Sequence, residues 1–127
     1  MKIEHVALYV KDLESARKFF EKYFSAKSGE LYHNRTSGFK SYFLIFDGRA
    51  RLEIMTRPEI QNAEKNPLCA GYAHVAFSMG SKAAVDTLTE KLKADGYKVA
   101  SGPRTTGDGY YESCIVGIEG NMVEITE

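Results

Sequence analysis

Four side chains in this sequence have the types and spacing to do chemistry together. His5-Val6-Ala7 recurs as His74-Val75-Ala76, 69 residues later. Glu53-Ile54 recurs as Glu124-Ile125, 71 residues later. A strand histidine taken singly is more often structural, and a strand glutamate is more often solvated. Here an imidazole and a carboxylate repeat at matching points of two half-length modules. Burying such groups unpaired is costly. A divalent cation removes that cost by pairing with both carboxylates and accepting neutral imidazole nitrogens. His5, Glu53, His74 and Glu124 are therefore the candidate metal ligands. Their mixed hardness is compatible with nickel, zinc, cobalt, iron(II) or manganese. Such an ion with open positions acts as a Lewis acid on a carbonyl or hydroxyl oxygen. A glutamate that loosens from it becomes a general base for an acidic carbon-bound proton. Glu53 and Glu124 are the candidate catalytic residues. The chemistry that suits them is proton transfer through an enediolate or enolate whose negative oxygen the cation stabilises.

The elements that must position these residues follow from periodicity. Residues 2–10 alternate, with Ile3, His5, Ala7 and Tyr9 on one face and Val6, Leu8 and Val10 on the other, which predicts a strand. Asp12 caps a helix whose apolar stripe is Leu13, Ala16, Phe19, Phe20 and Tyr23. A weak strand is expected over 27–32, and better ones over 40–46 and 50–56, joined by a turn at Asp47-Gly48. The second half repeats the order: a strand over 72–79 and a helix capped by Ser81, with Ala84, Val85, Leu88 and Leu92 inward. Gly96 stands where a left-handed C-terminal cap belongs. Strands follow over 98–101, 110–118 and 122–126, the last two joined at Glu119-Gly120-Asn121. Each half reads β-α-β-β-β, so the class is α+β. One domain over 1–127 is expected, built from module 1–57 and module 71–127 with a linker over 58–70. Glu53 and Glu124 lie between two apolar residues, and His5 and His74 are each followed by a valine. Because neighbours on a strand face opposite ways, the ionisable side chains turn away from the helices, into the concave side of the sheet.

Tyr9 and Met55 share strand faces with His5 and Glu53 and are candidate pocket walls. Arg51 and Arg57 lie on the same parity and could meet an anionic substrate. The loop Gly107-Asp108-Gly109 leads into Tyr110-Tyr111-Glu112; its glycines allow close approach to a ligand, and Tyr111 is a candidate substrate contact. His33 falls in an expected exposed loop and stays outside the site.

Composition excludes several other classes. Lysine plus arginine equals aspartate plus glutamate, 17 each, so no dedicated nucleic-acid or anionic-membrane surface is expected. No apolar run approaches the ~20 residues of a membrane span. No secretory signal is read at Met1-Lys2, and two cysteines with no disulfide pattern fit reduced thiols, so a cytoplasmic location is expected.

The order His5, Glu53, His74, Glu124 in duplicated modules, with the His-Val-Ala openings and the Leu-Glu-Ile and Val-Glu-Ile closings, resembles the vicinal oxygen chelate superfamily. Within it the chain is most similar to glyoxalase I, the lactoylglutathione lyase. The resemblance implies a curved, incomplete barrel around one divalent metal ion held by those four residues. It implies a glutamate that shuttles the proton of a hemithioacetal of a methylglyoxal-type 2-oxoaldehyde, giving a 2-hydroxyacyl thioester. It also implies a homodimer with shared metal sites. A fourth ligand, Glu53, favours glyoxalase or epimerase chemistry over the two-histidine, one-glutamate dioxygenases and thiol transferases. Two family positions that recognise glutathione, an arginine and an asparagine, are here Tyr9 and Arg57. The substrate is thus a small molecule, with its thiol left open. The alternatives are another enzyme of the superfamily (an epimerase, a ring-cleaving dioxygenase or a thiol transferase) and a non-catalytic drug- or metabolite-binding protein.

Overall fold

Local sequence sets where each helix begins and ends. In the computed structural model, which describes residues 1–48, 50–61, 65–66 and 68–127, Asp12 is extended and accepts the Ser15 N–H at 2.9 Å. Helix α1 (Leu13–Phe24) starts there and buries Leu13, Ala16, Phe19, Phe20, Tyr23 and Phe24. Ser81 does the same for α2 (Lys82–Ala94), accepting from the Ala84 N–H. Beyond α2, Gly96 takes φ +93°, its N–H bonds Lys93 O and the Tyr97 N–H bonds Leu92 O. This paired closure is the left-handed cap expected of that glycine. The buried stripe of α2 is Val85, Leu88, Thr89 and Leu92, whereas Ala84 is only half-buried.

The chain divides into two compact units, Met1–Ala63 and Glu64–Glu127. The linker expected over 58–70 includes Asn62, Ala63, Glu64 and Pro67, which lie outside the described residues. The first unit holds β1 (His5–Tyr9), α1, β2 (Lys27–Ser28), β3 (Tyr32–His33), β4 (Lys40–Ile45) and β5 (Arg51–Thr56). Its sheet runs β1-β5-β4-β2, with β3 also on β4. The second unit holds β6 (His74–Ser78), α2, β7 (Lys98–Thr105), β8 (Tyr111–Val116) and β9 (Met122–Thr126), in sheet order β6-β9-β8-β7. The class is α+β, with two similar modules. In both, the first and last strands pair in parallel, His5 opposite Arg51 and Ala7 opposite Glu53, and His74 opposite Met122 and Ala76 opposite Glu124.

Two of the differences from expectation are bulges. The single strand over 27–32 is two. Ser28 faces Leu44 but Tyr32 faces Ser41, so the first strand carries one extra residue there and the ladder breaks. The strand expected to stop at Ser101 runs on to Thr105. Its register on β8 slips between Val99 and Ser101 and again between Ser101 and Arg104, so Gly102-Pro103 is absorbed as bulge rather than ending the strand.

Each helix covers one face of its own sheet. Leu44, Leu52 and Ile54 lie beneath α1; Ile115, Val123 and Ile125 lie beneath α2. Ile54 and Ile125 are fully buried, each contributing about 1.5–3 kcal/mol over an exposed position. These are the apolar neighbours that turn Glu53 and Glu124 to the opposite face.

Candidate metal centre

Leu52 and Ile54 hold β5 against its helix, so Glu53 emerges from the other side. His5 leaves the adjacent parallel strand on that side, and its Nε2 lies 4.0 Å from Glu53 Oε2. The second unit repeats the arrangement: His74 Nε2 lies 3.3 Å from Glu124 Oε2. Exposure matches as well. The histidine side chains are 40% and 41% exposed, the glutamates 15% and 17%. Among the described residues, that histidine is each glutamate's one ion-pair partner. Each pair therefore sets a half-buried carboxylate beside an imidazole nitrogen.

Two atoms bound to one divalent ion at about 2.1 Å, in adjacent tetrahedral or octahedral positions, stand about 3.0–3.4 Å apart. The 3.3 Å of the His74–Glu124 pair meets that spacing, and the 4.0 Å of the His5–Glu53 pair needs a small side-chain adjustment. The donor chemistry of each pair thus fits a divalent cation. Each sheet supplies two donors: among the described residues, no three histidine, cysteine, aspartate or glutamate side chains converge within a unit.

The surroundings of the two pairs differ. Glu4 and Arg51 attend His5. Glu4 Oε2 lies 2.5 Å from His5 Nδ1, and Arg51 bonds the other Glu4 oxygen. The bond to His5, then that to Arg51, holds the Glu4 carboxyl below its ordinary value. The Arg51 guanidinium lies 4.1 Å above the Phe43 ring, which meets the His5 ring edge-on at 5.4 Å. Glu4 is absent from the sequence expectations; a carboxylate on an exposed strand end reads as solvated. The signal that could have found it is a difference between the repeats, since Ala73 precedes His74. In the second unit Cys114 is the register partner of Glu124. Burial, then the Glu124 and Glu112 carboxylates, pushes its thiol above the ordinary value, which disfavours the thiolate. Thr126, two residues beyond Glu124 on the same face, has a buried hydroxyl without a partner among the described residues.

The remaining candidates separate. Tyr9 and Met55 are register partners on the face of His5 and Glu53, Tyr9 being 42% exposed. Arg57 lies past the end of β5, 3.2 Å from Glu59, on an open hollow with Lys11, Lys40, Thr56 and Ile60. Tyr111 is on the opposite face from Glu124. Its hydroxyl donates to Asp86 Oδ1 on α2 at 2.7 Å, and Lys82 of that helix lies over its ring. It anchors the helix and does not face the ligand pair. His33 is exposed in β3, and Cys69 and Cys114 are free thiols.

Comparison with known proteins agrees with this architecture. The pattern of the Glyoxalase/Bleomycin resistance protein/Dioxygenase superfamily matches residues 2–125. An uncharacterized protein of Bacillus subtilis, YqjT, is 34% identical over 115 residues, covering 86% of this chain and 85% of its own. The trypanothione-dependent glyoxalase I of Leishmania major superposes with a TM-score of 0.80 at 15% identity, over 100% of this chain and 86% of that one. A single-residue variant of the fosfomycin resistance protein FosX of Listeria monocytogenes, in complex with Mn(II) and a dihydroxypropylphosphonic acid, gives a TM-score of 0.74 at 25% identity, over 98% and 90%.

Proposed function

Because the chain belongs to the glyoxalase/bleomycin resistance protein/dioxygenase superfamily, we propose that it is a metal-dependent lyase or isomerase of the glyoxalase I type. Its reaction converts the hemithioacetal of a 2-oxoaldehyde into a 2-hydroxyacyl thioester. The observation that carries this reading is the repeated pair: in both modules a histidine nitrogen stands within 4.0 Å of a glutamate oxygen on the face turned from the helix. His5, Glu53, His74 and Glu124 hold one divalent cation, the two pairs joined within a chain or between two copies in a homodimer. The cation supplies positive charge where the substrate's oxygens become negative. Glu53 or Glu124 takes the proton from the hydroxyl-bearing carbon and returns it to the neighbouring one. That role needs a carboxylate which is partly dry and free of a competing cationic side chain. Glu53 and Glu124, at 15% and 17% exposure, have that environment. Tyr9 and Met55, on the same face as His5 and Glu53, are the substrate contacts of the first module. A cytoplasmic enzyme of methylglyoxal detoxification fits this chemistry, and no helix among the described residues is long and apolar enough to cross a membrane.

The 25% identity to the fosfomycin resistance protein favours one second reading, action on a small phosphonate. One set of measurements separates the two. The purified protein is analysed for bound metal, then assayed with methylglyoxal and glutathione, with methylglyoxal and other low-molecular-weight thiols, and with fosfomycin. Thioester formation that a chelator abolishes and added metal restores is the expected result. Loss of fosfomycin without thioester formation supports the second reading. Undiminished thioester formation after complete metal removal overturns the first.

A further inference from the structure

We propose that Glu4 and Arg51 are a positioning pair that fixes the ring of His5, so that the two histidines are unequal donors. The inference rests on the four-ligand reading above and deepens it. A carboxylate has no proton to give, so the 2.5 Å contact between Glu4 Oε2 and His5 Nδ1 requires the ring to donate through Nδ1. In the neutral ring Nε2 then carries the lone pair, and Nε2 is the nitrogen that faces Glu53 at 4.0 Å. Glu4 is held in turn: Arg51, the residue opposite His5 in the ladder, bonds its second oxygen. Arg51 is itself seated on Phe43, whose ring meets His5. The four side chains close a circuit that locks both the tautomer and the orientation of His5.

The second module keeps its ligands and loses this circuit. Ala73 stands where Glu4 stands, and Met122, opposite His74, stands where Arg51 stands. Among the described residues nothing accepts a proton from His74 Nδ1. A carboxylate behind a ligating histidine fixes its tautomer and raises its basicity, and removing one costs about 10–100-fold in metal affinity. That strengthening is built into the first module alone.

Two measurements test this. The first uses metal-free protein: long-range proton–nitrogen spectra at about pH 8.5, two units above the ordinary histidine value. His5 is expected to carry its proton on Nδ1 in the wild type and to shift toward Nε2–H in Glu4→Ala, with His74 unchanged. The second is calorimetric titration with zinc(II). Glu4→Ala is expected to weaken binding about 10–100-fold. Glu4→Gln, whose amide oxygen still accepts the Nδ1 proton, recovers part of the loss. Glu30→Ala, the same charge removed from an exposed loop, stays close to wild type. A wild type that binds no zinc overturns the four-ligand reading itself. A wild type that binds zinc, with Glu4→Ala binding equally or with His5 protonated on Nε2 throughout, overturns the positioning pair and leaves that reading intact. Equal losses in Glu4→Ala and Glu30→Ala would reduce the effect to general electrostatics and also overturn it.

Discussion

Replacing three glycines of the second unit by alanine should give three different costs, because each is glycine for a different reason. At Gly102 a Cβ would stand 2.4 Å from Glu112 O and 2.9 Å from Ser113 Cα, with φ at +80°. Both are backbone atoms of β8 and cannot rotate away, so β7 must lift from its neighbour. The left-handed backbone costs a non-glycine residue about 1–2 kcal/mol. The forced overlap costs about 1–3 kcal/mol more, so Gly102→Ala should lose about 2–5 kcal/mol. That is a large part of the ~5–15 kcal/mol that holds a typical domain. At Gly96 φ is +93° but nothing lies within 4 Å, so only the backbone cost of about 1–2 kcal/mol remains. Gly107 has neither constraint. Alanine there should be neutral or add up to about 1 kcal/mol by restricting the unfolded chain. Urea unfolding followed by circular dichroism reads all three. A Gly102→Ala variant no less stable than Gly96→Ala would refute the claim that β7 and β8 meet so closely there. Because β8 carries Cys114 opposite Glu124, the same variant should also weaken zinc binding.

Other predictions concern the proposed ligands, the core and one cap. Glu53→Gln and Glu124→Gln should each keep the fold and lose turnover, with zinc affinity down at least about tenfold; full activity in both, measured with metal in excess, would end the proton-transfer assignment. In the core, Thr89 donates to Val85 O at 2.7 Å, so Ser113 must donate across their 2.6 Å contact. Thr89→Val strands that buried donor and should cost about 1–3 kcal/mol, more than Ser113→Ala; the double variant should cost less than the two single losses combined. Asp12 has its carboxyl held below the ordinary value, first by the Ser15 N–H. Its stabilisation is fully present above the ordinary aspartate value and is lost as pH falls through the lowered folded value. The melting-temperature gap between wild type and Asp12→Ala should therefore be full at neutral pH and close in strong acid; a gap independent of pH would remove the charge from the explanation.

Much of this was readable from the chain because the signals were local or repeated. Asp12 and Ser81 mark helix starts by what a side-chain oxygen does to free N–H groups. Glu53 and Glu124 declare their face through buried neighbours on both sides. What stayed hidden depended on register. One extra residue between Ser28 and Tyr32 breaks a ladder and leaves no trace in composition. Gly102-Pro103 looks like a stop, and becomes a bulge only because β8 lies alongside. Tyr111 sits on the helix side because Cys114, three residues on, is the partner of Glu124. Glu4 matters through Arg51, 47 residues away, and nothing short of the strand pairing joins them.

In both modules the first strand lies beside the last, so each histidine finds its glutamate only across a whole module: 48 residues separate His5 from Glu53 and 50 separate His74 from Glu124. A growing chain therefore offers no two-donor grip on a cation until the final strand of a module has emerged and zipped into place. On the proposed four-ligand reading, cation capture follows completed folding, one module at a time. Truncations ending before Glu53, or between Glu53 and Glu124, should show that staging as none, then one, of the two grips.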